Sequence, residues 1–499
     1  MPHRKRKRSL SPGNATGFAA LACMVPSAVD AHAFGATYTL PLPLWLYLYG
    51  CVAALAASFM VAVVVGRDGH RPGVPSHLQR ADLTRDDRGI GGSRHRWHRV
   101  GWAAALVFST VCALGGSQVA SANASMTMFW VLFLLGFQYV CACFGNLYRT
   151  VNPWRTTAQI MGIAESGSKR MRHGDSRGYY VAFAFMYALI CLELFGTGSP
   201  RELGIALLAY TAINIVGAFA LGTRVWFGSF EAFAVVFDIV GSLSLLRPAS
   251  RHLKIIDPVM VPCADGSELR APPTGLALCI LFLLSSTAFD GFRDTRVFVD
   301  LYWVRVYRWL TPVVGSDITQ SFSRLQTGYH AFQYIALLAS PLPFAFVLWL
   351  ASLCGKALMR TSMSSVLLAH AFAPAIIPVA VGYNVAHYFT LVALQGPDIV
   401  RLASDPFGRG WDLFGTTFHH PATLLLPADL VWHIQVAAIL VGHVVGILFA
   451  HRIALRIFGT GKMAALNQFP TLVVMLLYTT TGLWILSAPI AGAGMAVVR

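Results

Sequence analysis

Only 12% of the 499 residues are charged, while 56% are hydrophobic. Soluble domains carry about 25% charged residues, so this composition, with a mean hydropathy of +0.59, excludes an ordinary water-soluble enzyme. The formal charge of +16 is spread over Arg4 to Arg8 and short arginine-rich loops, which is how topology signals distribute and not how a nucleic-acid surface is built.

In chain order, His3 to Arg8 form a basic leader, Gly17 to Pro26 a short apolar stretch, and Ser27 to Ala33 a run with small residues at cleavage spacing. This pattern predicts a signal peptide over residues 1–31, with a cut after Ala33 as the alternative. Cleavage after Ala31 leaves His32 as the first residue of a single integral membrane domain, 32–499. An all-α polytopic bundle follows, because apolar stretches of about 20 residues recur along the chain. Ten spans are expected, near 43–65, 100–119, 126–148, 178–197, 203–222, 274–290, 330–351, 366–392, 429–450 and 468–490. Between the fifth and sixth, Glu231 and Asp238 lie seven apart on one helical face, which suits an interfacial or re-entrant helix over 225–246.

Loop charges orient these spans. Arg67 to Arg99, Arg149 to Arg177, Lys356 with Arg360, and Arg452 to Lys462 all fall on one side if the spans number ten. That side is the cytoplasm, and both mature termini are external, in a bacterial inner membrane. Loop 291–329 is the exception, external yet bearing Arg293, Arg296, Arg305, Arg308 and Arg324. The nine cysteines lie mainly in apolar segments, and Cys141 and Cys143 point about 200° apart on a helix, so buried inert thiols are expected.

This topology gathers polar groups on the external face: His32, Asp290, His330, Asn384, His387, Asp405, Asp412, His419, His420, Asp429 and His433. Imidazole and carboxylate are costly near hydrocarbon unless they face a cavity, a partner or a metal. Asn384 and His387 share a helix face, with Pro374 and Pro378 deeper in the same span loosening its hydrogen-bond ladder. Asp429 and His433 are four apart, so the carboxylate can fix the imidazole tautomer and leave its second nitrogen for a metal or proton. An N-terminal His32 offers an amine and an imidazole together, a chelate suited to copper or another borderline metal. His32, His387, His419, His420 and His433 are thus the candidate ligands of a divalent transition metal, zinc or copper. Asp290, Asp405, Asp412 and Asp429 are the candidate catalytic carboxylates. Loop 405–412, which holds Asp405, Phe407, Arg409, Trp411 and Asp412, suits a lid or binding loop. Its plain alternative is an aromatic anchor at the membrane surface.

The stretches Ala31-His32-Ala33-Phe34-Gly35, Leu40-Pro41-Leu42-Pro43, Asn152-Pro153-Trp154-Arg155, Ser286 to Phe292, Gly382 to Tyr388 and Asp405 to Asp412 resemble a family of bacterial polytopic membrane proteins described as fenitrothion hydrolases. The likeness spans most of the chain. It implies hydrolysis of an organophosphorus triester with release of a nitrophenol. A metal would activate water, Asp290 or Asp412 would orient it, and Tyr388, Phe407, Arg409 and Trp411 would hold the apolar substrate. Two other readings use the same residues. One is a transition-metal permease with His370 and His443 as deeper relay groups. The other is a membrane subunit of an oxidoreductase.

Overall fold

The computed structural model describes residues 42–65, 93–165, 176–246, 258–314, 318–418, 427–459 and 462–487. The expected signal peptide, His32, His419 and His420 lie outside the described residues. The helices are α1 (Leu44–Val65), α2 (Ser93–Gly115), α3 (Ala124–Phe144), α4 (Pro153–Ile160), α5 (Gly178–Phe195), α6 (Pro200–Leu221), α7 (Ala232–Gly241), α8 (Thr274–Arg293), α9 (296–314), α10 (Ile318–Ala339), α11 (Pro341–Met359), α12 (Ser365–Gln395), α13 (Ala428–Phe458) and α14 (Lys462–Ser487).

Among the described residues, ten helical stretches are long and apolar enough to cross a membrane. They coincide with the ten expected spans, because a crossing helix must be apolar over its whole length and satisfies its own backbone. The chain is therefore an all-α polytopic membrane bundle. The seventh stretch, Phe322–Met359, runs for 38 residues through α10 and α11, so it extends well beyond the segment expected at 330–351.

The α8 and α12 helices are the most enclosed spans and form the middle of the main core, with Ile280, Phe282, Phe372 and Ile377 almost fully buried. α12 carries a tight turn at Ala373–Ile376, where Pro374 withholds a backbone donor. Below it, α12 and α13 come together through glycines. A Cβ on Gly382 would stand 2.6 Å from the Ala438 carbonyl, and one on Gly442 would stand 2.7 Å from the Pro378 carbonyl. Small residues let membrane helices approach this closely, which replaces the hydrophobic drive that lipid does not supply.

Of the two alternatives for 225–246, the structure has the re-entrant one. Gly222 adopts a φ of 85° and ends α6, and a wide turn at Trp226–Phe230 leads to Glu231 in extended conformation before α7. Both ends of the segment are tied to the same end of the bundle, since Thr223 N–H donates to the Ala164 carbonyl and Leu245 N–H to that of Ala142. Glu231 is fully buried and caps α7, accepting from Phe233 N–H (3.0 Å) and Ala234 N–H (2.7 Å). The Tyr210 hydroxyl (2.5 Å) and Asn152 amide (3.3 Å) complete its partners. Asp238 pairs with Arg149 and Asn146. The shared face of Glu231 and Asp238 is thus turned into protein, where a helix break at depth is tolerated because its polar groups are bonded.

A surface helix exists, but at α9, inside what the sequence shows as a charged loop. Phe298 and Tyr302 are buried against Phe332, while Trp309 is 84% exposed on the outer side. A two-stranded antiparallel hairpin, β1 (Val259–Pro262) and β2 (Glu268–Ala271), pairs Val259 with Ala271. It packs on the start of α12 and the end of α13 through Val261, Leu368, Ala371 and Ile457. The cysteines among the described residues are free thiols.

Candidate functional site

The α8 and α12 helices present complementary polar faces to each other. On α8 the run Ser285-Ser286-Thr287 is followed one turn later by Asp290 and then Arg293. On α12, Asn384, His387 and Tyr388 are three and four residues apart and share a face. Asp290 is 3% exposed, one turn from the end of α8. Its Oδ2 lies 2.9 Å from His387 Nε2 and accepts from the Tyr388 hydroxyl at 2.8 Å. Its Oδ1 lies 3.3 Å from Arg293 Nε. Arg293 also donates to the Leu194 carbonyl at 2.7 Å, fastening the end of α5 to the same cluster.

The local packing depends on Gly291. A Cβ there would stand 2.8 Å from Ile485 Cγ2 and 3.5 Å from His387 Cε1, so a bare backbone lets α14 and the imidazole close on α8. The His387 ring is further held edge-on by Tyr388, at 4.6 Å and 88°, and stacks with Tyr383 at 6.5 Å and 16°. With Nε2 donating to the carboxylate, Nδ1 carries the lone pair. This is the arrangement of a general base whose tautomer and orientation are fixed by an acid partner.

Beside the cluster lies a cavity between α3, α5, α7, α8 and α12. Leu134, Met186, Leu189 and Ile280 form apolar walls, and Gln138, Glu193, Thr287, Asn384 and Tyr388 add polar atoms. Asn384 donates from Nδ2 to Thr287 Oγ1 at 3.5 Å.

The remaining expected site residues do not join this cluster. Asp405 accepts from the amides of Arg409 (2.8 Å) and Gly410 (2.6 Å), and Asp412 from the amide (3.1 Å) and hydroxyl (2.9 Å) of Thr417. Both carboxylates therefore fold their own loop. The Thr417 amide and hydroxyl hold the exposed Asp412 carboxyl below its ordinary value. Phe407 and Trp411 meet edge to face at 5.5 Å, with Arg409 over both rings. This group docks on the α2–α3 connection, where Ser117 N–H donates to the Phe407 carbonyl at 2.7 Å and Arg409 donates to that of Gly115 at 3.0 Å. None of the three lines the cavity, whereas Tyr388 does.

Asp429 does not orient His433 through its carboxylate. The His433 Nδ1 instead bonds the Asp429 backbone carbonyl at 2.6 Å, and Nε2 is 3.5 Å from the Tyr47 hydroxyl. His370 bonds the Pro272 carbonyl at 2.7 Å, and His443 is buried in α13 with Nδ1 on the Ile439 carbonyl at 2.9 Å. Among the described residues, no three histidine, cysteine, aspartate or glutamate side chains are placed to hold one metal. The joint cluster of His387, Asp405, Asp412, Asp429 and His433 thus separates into an enclosed pair, a self-bonded loop and a helix end.

Sequence reasoning left out Arg293, Glu193 and Gln138. Arg293 was counted among loop cations, although its spacing of three from Asp290 on a helix was the available signal. Glu193 was recognisable as a lone acid between leucines in a span, which membrane proteins rarely keep idle.

Compared with protein-family models, curated proteins and solved structures, the chain has no match. What fold and site define is a class: a polytopic helical membrane protein with an enclosed carboxylate–imidazole–phenol–guanidinium cluster near one end of its bundle.

Proposed function

We propose that the chain is a membrane-embedded hydrolase of organophosphorus triesters of the fenitrothion type, with its site toward the external face of a bacterial inner membrane. The observation that carries this reading is the buried Asp290–His387 pair, 2.9 Å apart. His387 Nδ1 takes a proton from water as the oxygen attacks phosphorus, and the P–O bond to the aryl group breaks with departure of an aryloxide. Asp290 holds the imidazole and balances its charge once protonated, and Arg293 Nε stands 3.3 Å from the other carboxylate oxygen. An apolar triester is concentrated by the bilayer, which supports a site inside a lipid-soluble scaffold.

Asp290 and His387 supply one carboxylate and one imidazole, fewer donors than the three protein ligands usual at a catalytic zinc. A metal at this pair would need further donors, and the expected ligands His32, His419 and His420 lie outside the described residues, so the steps written here use the pair alone. Purified membranes incubated with fenitrothion test the reading: the wild type is expected to release nitrophenol, and His387→Ala to lose this release. Release unaffected by His387→Ala would overturn it.

A transition-metal permease is the second reading. It is supported by His443, 2% exposed deep in α13, whose Nε2 has no hydrogen-bond partner. Metal uptake into proteoliposomes, lost in His443→Ala and present without ester hydrolysis, would favour it.

A further inference from the structure

The cavity beside Tyr388 is polar in a way its apolar neighbours do not require. Asn384 Oδ1 is buried and has no hydrogen-bond partner. Glu193 and Gln138 bring a carboxylate and an amide to the same space from α5 and α3. Leaving a buried acceptor unmet costs about 1–3 kcal/mol, so such groups are normally met by protein or by water. An apolar cavity of this size would stay dry, but one with two to four polar partners takes water.

About 60 Å³ of the cavity is wide enough for water. At roughly 10–15 Å³ for each molecule, that admits on the order of four waters. The unmet atom is an acceptor, and the charged group lining the cavity is the Glu193 carboxylate, so an occupant that donates hydrogen bonds fits it. A phosphotriester has only acceptors and is a poor match. Water is a good one.

Among His387, Tyr388 and Arg293 around Asp290, Tyr388 lines the cavity, and it donates to Asp290 Oδ2 at 2.8 Å. We infer that the cavity is a water site that receives, through Tyr388, the proton released at the Asp290–His387 pair. This rests on the hydrolase reading for the source of the proton. Each turnover breaks one water O–H bond, forms one P–O bond and breaks another, leaving one proton on His387. His387 passes the Nε2 proton to Asp290. The Tyr388 hydroxyl, which donates to Asp290 at rest, turns its proton to the first cavity water, then takes the proton from Asp290 as it gives up its own, which travels on to Glu193. The pair regains its starting charge with the imidazole proton now on Nδ1, so the ring must turn over before the next cycle, and one proton has moved into the cavity.

Two measurements test the inference, and the first does not depend on activity. Hydroxyl radicals generated in place from bound water oxidise the side chains that touch it. Met186 lines the cavity at 4% exposure, whereas Met475, at 2%, does not line it, which makes it an internal control. Met186 is expected to oxidise on the order of tenfold faster than Met475. Asn384→Leu is expected to lower the Met186 rate toward that of Met475. Equal rates in the wild type would overturn the water site.

The second measurement is kcat for nitrophenol release by Tyr388→Phe, which keeps the ring and removes the hydroxyl. Its kcat is expected to fall about tenfold or more with KM unchanged, and to rise again with added small diffusible buffer. A loss that buffer does not restore, or no loss, would overturn the proton route. If Met186 is labelled but the wild type releases no nitrophenol, the hydrolase reading and the proton route fall together while the water site stands.

Discussion

Asp290 on α8 and His387 on α12 are 97 residues apart in sequence, yet the carboxylate Oδ2 and imidazole Nε2 meet at 2.9 Å, with side chains only 4% and 8% exposed. The contact joins the two most enclosed spans of the bundle. Its burial makes each partner dependent on the other, because an imidazole stripped of its carboxylate is left with an unmet donor in a buried setting.

Removing the carboxylate is therefore expected to affect both stability and rate. Asp290→Ala leaves Arg293, His387 and Tyr388 without a shared acceptor and should cost about 3–5 kcal/mol. Thermal unfolding in detergent checks this. Asp290→Asn keeps the shape, should unfold closer to the wild type, and should still lose most of the hydrolytic rate.

Gly291→Ala is expected to destabilise by about 1–3 kcal/mol, since its Cβ would stand 2.8 Å from Ile485 Cγ2. Adding Ile485→Ala removes the clashing atom. The double variant should recover part of both the stability and the rate, as read by a double-mutant cycle. Additive losses would show that the two positions do not meet.

The same physics marks what the sequence could and could not convey. Crossing helices must be apolar over a fixed length, so the ten spans were legible from composition, and the short helix near Glu231 from its apolar run and the spacing of Glu231 and Asp238. The α9 helix was hidden because Arg296, Arg305 and Arg308 raise its polarity to that of a loop, while Phe298 and Tyr302 are buried on its inner side. Asp290 and His387 each stood out as ionisable groups in apolar surroundings. Their pairing did not, since helix rotation and the crossing of α8 with α12 are set by packing. Asp405 and Asp412 misled for a local reason. Asp405 is followed by Gly408 and Gly410, both at positive φ, which marks a turn folded around an aspartate side chain and not a ligand awaiting a metal.

The loop built on those aspartates should respond to acid with a defined sign. Hydrogen bonds from Thr417 lower the Asp412 pKa from its usual 3.8, so the ionised form is favoured in the folded loop. The stabilisation is then fully present above the usual value and is lost as pH falls through the lowered one. Hydrogen exchange of the amides over 405–417 should show protection fading in that window. In Thr417→Val the amide bond remains, so the window should move upward without vanishing.

Glu231→Ala should loosen the re-entrant segment, because Phe233 and Ala234 amides, the Tyr210 hydroxyl and the Asn152 amide all lose their acceptor. A loss of about 2 kcal/mol or more is expected, above that of an exposed helix cap. Glu231→Gln should recover part of it, as measured by unfolding midpoints.

Chelation bears on the chemistry directly. With only one imidazole and one carboxylate in the enclosed pair, nitrophenol release should be unchanged after exhaustive treatment with a metal chelator. Complete loss, restored by adding zinc or copper, would mean that further donors complete a metal site around His387.

The measurement closest to the central claim is nitrophenol release from fenitrothion by the purified protein, wild type against Asp290→Asn at equal concentration. Steady turnover by the wild type and a loss of about 100-fold or more in the variant are expected. Equal rates in the two proteins, or no release by either, would contradict a hydrolase built on Asp290 and His387.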